Sequence, residues 1–343
     1  MKKIAITMGE PGGVGPEIIV KALSRLRVRG SILVVLGNAG IMTDAVRLTG
    51  LPLKIRVIEN IRQVKHEQGI IHVLNIPSRL PAKKRAPSKS AGTAVVKYIQ
   101  KAVKLALNHD VNAIVTAPVS KESLKMAGHP WPGHTELLAE LTAAKEYAMM
   151  FVSDKLKLIL CTIHIPLKDV PKQITRSVVT KTIHLALKGA AMMGIHNPRI
   201  AVAGLNPHAG ESGIMGSEEV KAIVPAMKQA QAEGVHVSGP YPPDVVFYKA
   251  LKGAFDIVVC MYHDQGLIPF KMLSFESGVN VTVGLPVIRT SPDHGTAFDI
   301  AWQNRADPKS MIEAIKLAAR MEVGGKGILV GTYCNKPKIT NNI

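Results

Sequence analysis

The sequence predicts an α/β protein of two domains. Three observations point there. Short apolar, β-branched runs recur along the chain, each closed by glycine, proline and small polar residues. Longer segments with apolar residues at helical spacing lie between them. The third is length, because 343 residues is long for a single core. Hydrophobic residues at 47% supply ample material for that core. No apolar run reaches the roughly 18 residues of a membrane-spanning helix, and the run after Met1-Lys2-Lys3 is too short for a signal peptide. Cys161, Cys260 and Cys334 lack CxxC spacing, which argues against a zinc ribbon or a disulfide framework and for a reducing cytoplasm.

Each element follows from its own residues. Lys3–Met8 reads as a strand, followed by the turn Gly9-Glu10-Pro11-Gly12-Gly13-Val14-Gly15-Pro16 and a helix with Pro16 or Glu17 in its first turn. This turn is not a dinucleotide fingerprint: a GxGxxG starting at Gly13 would need glycine where Ile18 stands, and no P-loop GK[ST] is present. It either brings backbone close to something or is a structural tight turn. Ser31–Leu36 is a strand, and 51–80 reads as short strands and turns. Residues 77–90 form a basic loop, ahead of a helix over Gly92–His109 with Ser90 as its N-cap. Val111–Thr116 is a buried strand. The loop from Gly128 to His134 precedes a helix at Glu136–Thr142 and marks a domain boundary. Leu156–Thr162 and Arg199–Ala203 are strands, Thr180–Met193 and Gly216–Gln231 helices, and Val235–Pro243 carries a proline turn. A strand precedes Cys260, and a last helix covers Lys309–Met321 before a loose tail. The two domains expected are 1–130 with 275–343, and 131–274.

The formal charge is +18. The basic residues are scattered, with Lys83-Lys84-Arg85 the densest run. Aromatic residues are only 4% and nowhere interleave with the basic ones as a stacking platform would. Nucleic acid is therefore disfavoured, and so is a membrane. A phosphorylated or carboxylated small substrate, or simply a soluble surface, accounts for the excess.

Chemistry concentrates after the strand that ends near Val259, in Cys260-Met261-Tyr262-His263-Asp264-Gln265-Gly266 and, further on, Lys271. Ligands of α/β proteins bind outside the carboxyl ends of the strands. His164, His208 and His263 each follow a short apolar strand by a few residues. Three neutral imidazoles brought together there could hold a divalent metal with a position left for substrate. Taken singly, each histidine reads more simply as structural or solvated.

Several motifs together resemble the PdxA family of 4-hydroxythreonine-4-phosphate dehydrogenases of pyridoxal phosphate biosynthesis. They are Gly9–Glu17, Gly133-His134-Thr135-Glu136, Gly204–Glu211, Met261–Gly266 with Lys271, Gly278-Val279-Asn280, Arg289-Thr290-Ser291 and Asp293–Ala297. The resemblance covers the chain from Ile4 to about Met321. It implies a fold similar to isocitrate and isopropylmalate dehydrogenases, with the active-site cleft between two domains. It also implies NAD or NADP bound outside a Rossmann motif, with Asp293, His294, Gly295, Thr296 and Ala297 near the adenosine end. A divalent metal would sit on His164, His208 and His263, with zinc favoured over magnesium, cobalt, nickel or manganese. Ligands would come from both subunits of a homodimer, His263 completing a site built largely by the other subunit. His134, Thr135, Lys271, Asn280 and Arg289 match the family's substrate-binding positions.

These assignments make chemical sense. Lys271 and Arg289 would give a substrate phosphate charge-assisted hydrogen bonds, and Asn280 and Thr135 neutral ones. Asp264, Asp244 and Lys271 are the candidates to take the hydroxyl proton; for Asp244 a helix N-cap is an equal reading. The sequence departs from the family's pattern at Glu10, where aspartate is usual, and at Gly12, where alanine is. One branch of the family acts on 4-phospho-threonate and 4-phospho-erythronate, and no residue here decides between that branch and hydroxythreonine phosphate. From another class, a non-catalytic basic binder of phosphorylated ligands or nucleic acid is the rival reading.

Overall fold

The computed structural model describes residues 1–78, 85–131 and 133–323. In chain order these form β1 (Lys2–Thr7), α1 (Gly15–Arg25), β2 (Ser31–Gly37), α2 (Ala39–Thr49), β3 (Lys54–Ile58), β4 (Ile70–Asn75), α3 (Lys89–Leu107) and β5 (Ala113–Thr116). Then come α4 (Lys121–Met126), α5 (His134–Leu141), β6 (Ala148–Val152), β7 (Lys157–Leu160), α6 (Val170–Gln173), α7 (Arg176–Met192) and β8 (Ile200–Ala203). The remainder is α8 (Val224–Ala232), β9 (Val237–Tyr241), α9 (Pro243–Leu251), β10 (Ile257–Cys260), α10 (His263–Ser274), β11 (Val279–Val283), β12 (Ile288–Pro292) and α11 (Lys309–Arg320).

The α/β class expected from the alternation is what the chain adopts. The strands form one twelve-stranded sheet in the order β3-β4-β2-β1-β5-β12-β11-β6-β7-β10-β8-β9. From β3 to β12 every neighbour pair is parallel, and so is every pair from β7 to β9. Between these blocks β12–β11, β11–β6 and β6–β7 are antiparallel. Three reversals in a row mean that the second block runs opposite to the first.

Helices cover both faces, as strands that are apolar on both sides require. One core extends along a single face across the sheet, from Ile6 and Val115 through Val281 and Met150 to Val259 and Val202. The other face carries two separate cores. One gathers Ala5, Ile114 and Leu36 with Ile99 and Leu138; the second gathers Leu158, Val258 and Ala201 with Phe247 and Phe270.

Most expected elements fall within a few residues of their observed limits. The N-cap of α3 is Ser88, not Ser90: Ser88 Oγ accepts from Ala91 N at 3.2 Å, while Ser90 already lies in the first turn. Val237–Tyr241 pairs with β8 as an edge strand rather than forming only a turn. The helix expected from Gly216 becomes regular only at Val224, after a π-turn at Glu219–Ile223. Pro225 has no N–H to continue an α-ladder through that point. Asp244 is not an N-cap: Pro242 holds that position and Asp244 lies in the first turn of α9. The strands β6, β11 and β12 and the helices α2, α4, α6 and α10 have no counterpart in the sequence reading, and α9 only the alternative of Asp244 as a helix N-cap. Lys83, Lys84 and the C-terminal tail with Cys334 lie outside the described residues. Among the described residues no helix is long and apolar enough to cross a membrane.

The glycine-rich turn after β1 packs against the chain itself. A Cβ on Gly13 would lie 2.9 Å from Thr296 O, and one on Gly12 2.9 Å from Ala86 O. Val14 N donates to Thr296 O at 3.0 Å, Arg85 N to Gly12 O at 2.9 Å, and Trp302 Nε1 to Pro11 O at 3.0 Å. The close approach is to backbone of the 85–86 and 296–302 segments, which settles the role left open by the sequence.

Candidate active site

The three histidines follow three adjacent parallel strands, β7, β10 and β8, at their carboxyl ends. Two of these ends are laced together. Cys161 N donates to Cys260 O at 2.8 Å, and Thr162 Oγ1 to Met261 O at 2.7 Å. Gln265, nearly buried, accepts from Met261 N through Oε1 and donates through Nε2 to Gly204 O, both at 2.7 Å. The stretch that drew attention in the sequence is thus a strand end turning directly into α10.

His164 and His263 face each other with ring centroids 5.9 Å apart. They line a hollow of about 430 Å³ with Thr162, Tyr262 and Asp264. Asp264 Oδ1 lies 2.6 Å from His263 Nδ1, which turns Nε2 outward. A carboxylate behind a ring nitrogen is the usual means of fixing a metal-binding imidazole. Burial, with Lys121 adding to it and Glu136 opposing, lowers the His164 pKa from its ordinary value, which favours the neutral ring. The resemblance set His263 against ligands of another subunit; here it already faces His164 of its own chain. His208 stands exposed on the loop after β8 and does not line this hollow. Among the described residues no group of three His, Cys, Asp or Glu side chains is arranged to hold an ion.

That loop has an unusual backbone. His208, Ala209, Gly210, Glu211 and Ser212 have φ of 54°, 55°, 76°, 41° and 60°. A left-handed conformation costs a residue with a Cβ roughly 1–2 kcal/mol, so four such residues within five need support. Glu219, 2% exposed, ties down the segment just before them. Its Oε1 accepts from Leu205 N and Asn206 N, both at 2.8 Å, and its Oε2 from Asn206 Nδ2 at 2.9 Å.

A second polar group lies on the β5–β12–β11 part of the sheet. Arg289 is 2% exposed. Its Nε and Nη2 donate to Thr116 Oγ1 at 3.1 and 2.7 Å, and its Nη1 to Thr282 Oγ1 at 3.0 Å. Among the described residues no carboxylate pairs with it, and burial draws its pKa down to about 10, opposed only by Glu136. Beside it, His134 is pushed well below the histidine range by burial and by the arginine, and its Nε2 has no hydrogen-bond partner. Asn280, on the same face of β11 as Thr282, leaves its Oδ1 unpartnered. Thr135 is buried in the first turn of α5, whose N-cap Gly133 offers no side-chain cap. The predicted substrate residues other than Lys271 therefore gather around one buried, unpaired cation.

Lys271 sits at the far end of α10, about 12 Å along the axis from His263. Its Nζ reaches Asp293 Oδ2 at 3.3 Å and Asp293 O at 3.1 Å. Burial raises the Asp293 carboxyl above its ordinary range, opposed by Lys271 and, less strongly, by His294 and His263. In the rest of the predicted cofactor loop His294 and Gly295 are exposed, a Cβ on Gly295 would meet nothing within 4 Å, and Ala297 has φ 43°. Asp244 is exposed on α9 and does not line the histidine hollow.

Two groups escaped sequence reading. Glu219 could have been suspected from the acidic pair Glu218-Glu219 so soon after a loop rich in glycine. Glu10 was noted only as a departure from pattern, yet it is fully buried, and burial raises its carboxyl to about 7. Ser123 and the amides of Gly12 and Ser120 pull it back, although neither oxygen reaches a donor in hydrogen-bonding geometry.

Strand-end histidines and a buried cation without a carboxylate partner among the described residues thus lie on one mixed α/β sheet. The sequence model described as pyridoxal phosphate biosynthetic protein PdxA matches residues 29–318, and the chain belongs to that family. A D-threonate 4-phosphate dehydrogenase of Salmonella typhimurium is 47% identical over 93% of this chain and 99% of its own. A 4-hydroxythreonine-4-phosphate dehydrogenase of Desulforapulum autotrophicum is 47% identical over 92% of this chain and 94% of its own. Among solved structures, the 4-hydroxythreonine-4-phosphate dehydrogenase of Klebsiella pneumoniae matches with a TM-score of 0.87 at 44% identity, covering 94% of this chain and 98% of that one.

Proposed function

We propose that the protein is a metal-dependent, NAD- or NADP-linked dehydrogenase that oxidises and decarboxylates 4-hydroxythreonine-4-phosphate to 3-amino-2-oxopropyl phosphate, a step of pyridoxal phosphate biosynthesis. The observation that carries this reading is the buried, unpaired Arg289 beside the unpartnered His134 Nε2 and Asn280 Oδ1. A buried cation without a counter-ion is costly, and a phosphate would complete it. Arg289 would give the phosphate charge-assisted hydrogen bonds, with His134, Thr135 and Asn280 adding neutral ones.

The donor set also fits a metal ion: two imidazoles facing across a hollow, one of them backed by a carboxylate. His164, His208 and His263 would hold it. Bound there, a divalent ion (zinc first, with magnesium, cobalt, nickel and manganese as others) supplies Lewis acidity towards the substrate hydroxyl and the negative charge left as carbon dioxide departs. The nicotinamide supplies the hydride acceptor that no side chain provides, with Asp293 to Ala297 lining its binding loop. Asp264, Asp244 and Lys271 are the proposed candidates for the base that takes the hydroxyl proton.

A homodimer in the cytoplasm is part of the proposal. Ile268, Met272 and Phe275 of the α10 region and Tyr248 of α9 are 60%, 83%, 72% and 63% exposed, an apolar surface that a second copy would cover. The division into 1–130 with 275–343 and 131–274 is likewise proposed; two separate cores on one face of the sheet favour two units, although Leu137 and Leu138 of α5 pack in the core of the first.

D-threonate 4-phosphate, with hydroxyl in place of the amine, is the second reading, favoured by the 47% identity to the Salmonella typhimurium enzyme of that name. Side-by-side turnover of both phospho-acids with NAD or NADP and a divalent metal, followed by reduced-nicotinamide absorbance, tests both. Faster turnover of the hydroxylated acid would replace the first reading by the second. No signal from either substrate would leave a binding protein.

A further inference from the structure

The Glu219 carboxylate is enclosed by the loop that carries His208. A Cβ on Gly210 would stand 2.6 Å from Glu219 Oε2, and one on Gly204 would stand 3.2 Å from Glu219 Oε1 and 2.7 Å from Ala209 Cα. Glycine is needed at both places so that the left-handed arc can close around the carboxylate. The three N–H groups that Glu219 accepts belong to Leu205 and Asn206, just before the arc begins. Asn206 O then accepts from Ala209 N at 3.1 Å, and Gly210 O from Met215 N at 3.1 Å, which fixes the arc at both ends. Glu218 Oε2 adds a second acceptor for Asn206 Nδ2 at 2.9 Å and holds Ser217 N at 3.0 Å. No cation pairs with Glu219 among the described residues, so its charge is answered by these N–H groups and its fixed place in the π-turn. By contrast, the exposed His208 imidazole has no hydrogen-bond partner among the described residues. The direction of its Cα–Cβ bond is set by its backbone, and the start of that backbone arc is tied down by Glu219.

We propose that Glu219 is a positioning residue for His208: by clamping the left-handed arc from inside, it aims the imidazole outward as a preformed ligand. This rests on the reading of His208 as a metal ligand. Carboxylates that support a ligand from behind typically contribute roughly 10–100-fold to metal affinity, and here the support passes through the main chain rather than through the ring.

Cobalt(II) titration of the full-length protein against a chromophoric chelator tests this, with thermal unfolding measured in parallel. Glu219→Gln keeps the size but turns one acceptor into a donor facing N–H groups. It is expected to weaken cobalt binding roughly 10–100-fold, with turnover restored at high metal concentration; His208→Ala should not be rescued by added metal. A Glu219→Gln variant that unfolds earlier but binds cobalt like the wild type would overturn the proposal, because the clamp would then be structural only. If that variant does not fold, Asn206→Ala, which removes only the Nδ2 donor, should shift the titration in the same direction by a smaller factor; wild-type affinity there overturns the proposal too. A wild-type protein that binds no cobalt removes the metal reading itself and this inference with it.

Discussion

The arginine pocket and the histidine edge solve opposite problems with the same sheet. Around Arg289 the ligand-seeking atoms are sealed in one chain, and what they lack is a negative charge. Around His164 and His263 the side chains open on a hollow, and what is lacking is a third donor. A buried cation is stiff and already desolvated, so its ligand need displace little water; an exposed imidazole depends on whatever fixes it from behind. On the proposed reading, the pocket is the part of the site that one chain would complete, and the edge is the part where a second copy would matter.

The sharpest way to break this contrast is to remove one residue from each region. His208→Ala, on the exposed loop, should lower turnover by about a thousandfold or more with loss of bound metal, while stability changes by no more than about 0.5 kcal/mol. An active variant without metal would refute the three-histidine site. Arg289→Met should act differently. It is expected to raise KM for the phosphorylated substrate about a hundredfold, as the loss of charge-assisted contacts worth roughly 1.5–3 kcal/mol implies, with metal content unchanged. An unaltered KM would take Arg289 out of the phosphate pocket.

Much of the fold was legible because buried parallel strands leave continuous β-branched runs such as Ile257–Val259. The strand β6 was missed because Ala148-Met149-Met150 is neither β-branched nor alternating; it becomes a strand by pairing with β11 and β7 on both sides. The candidate ligands were legible because histidines, a lysine and an arginine follow strands in recognisable motifs. Their grouping was not. Lys271 read as a neighbour of His263 in one polar stretch, but α10 carries it two turns away to Asp293. The left-handed arc at His208 and the clamp at Glu219 depend on a backbone conformation that only Gly210 among its five residues announces.

The smallest expected effect on activity sharpens the contrast from the buried side. Glu10 lies in the first parallel block with a carboxyl raised by burial to about 7. It binds its proton more tightly folded than unfolded. Its stabilising contribution is therefore complete below the ordinary carboxylate value of 4.5 and is lost as pH rises through about 7. Glu10→Gln should remove that loss, making the variant more stable than wild type by up to about 3 kcal/mol above about pH 8 and indistinguishable from it near the acid limit. Turnover and metal binding should stay within about twofold at either pH, since Glu10 touches neither ligand region. Denaturant midpoints for both proteins across this pH range are the measurement. Parallel pH profiles would mean that Glu10 is already ionised in the fold, a second buried charge of this block beside Arg289.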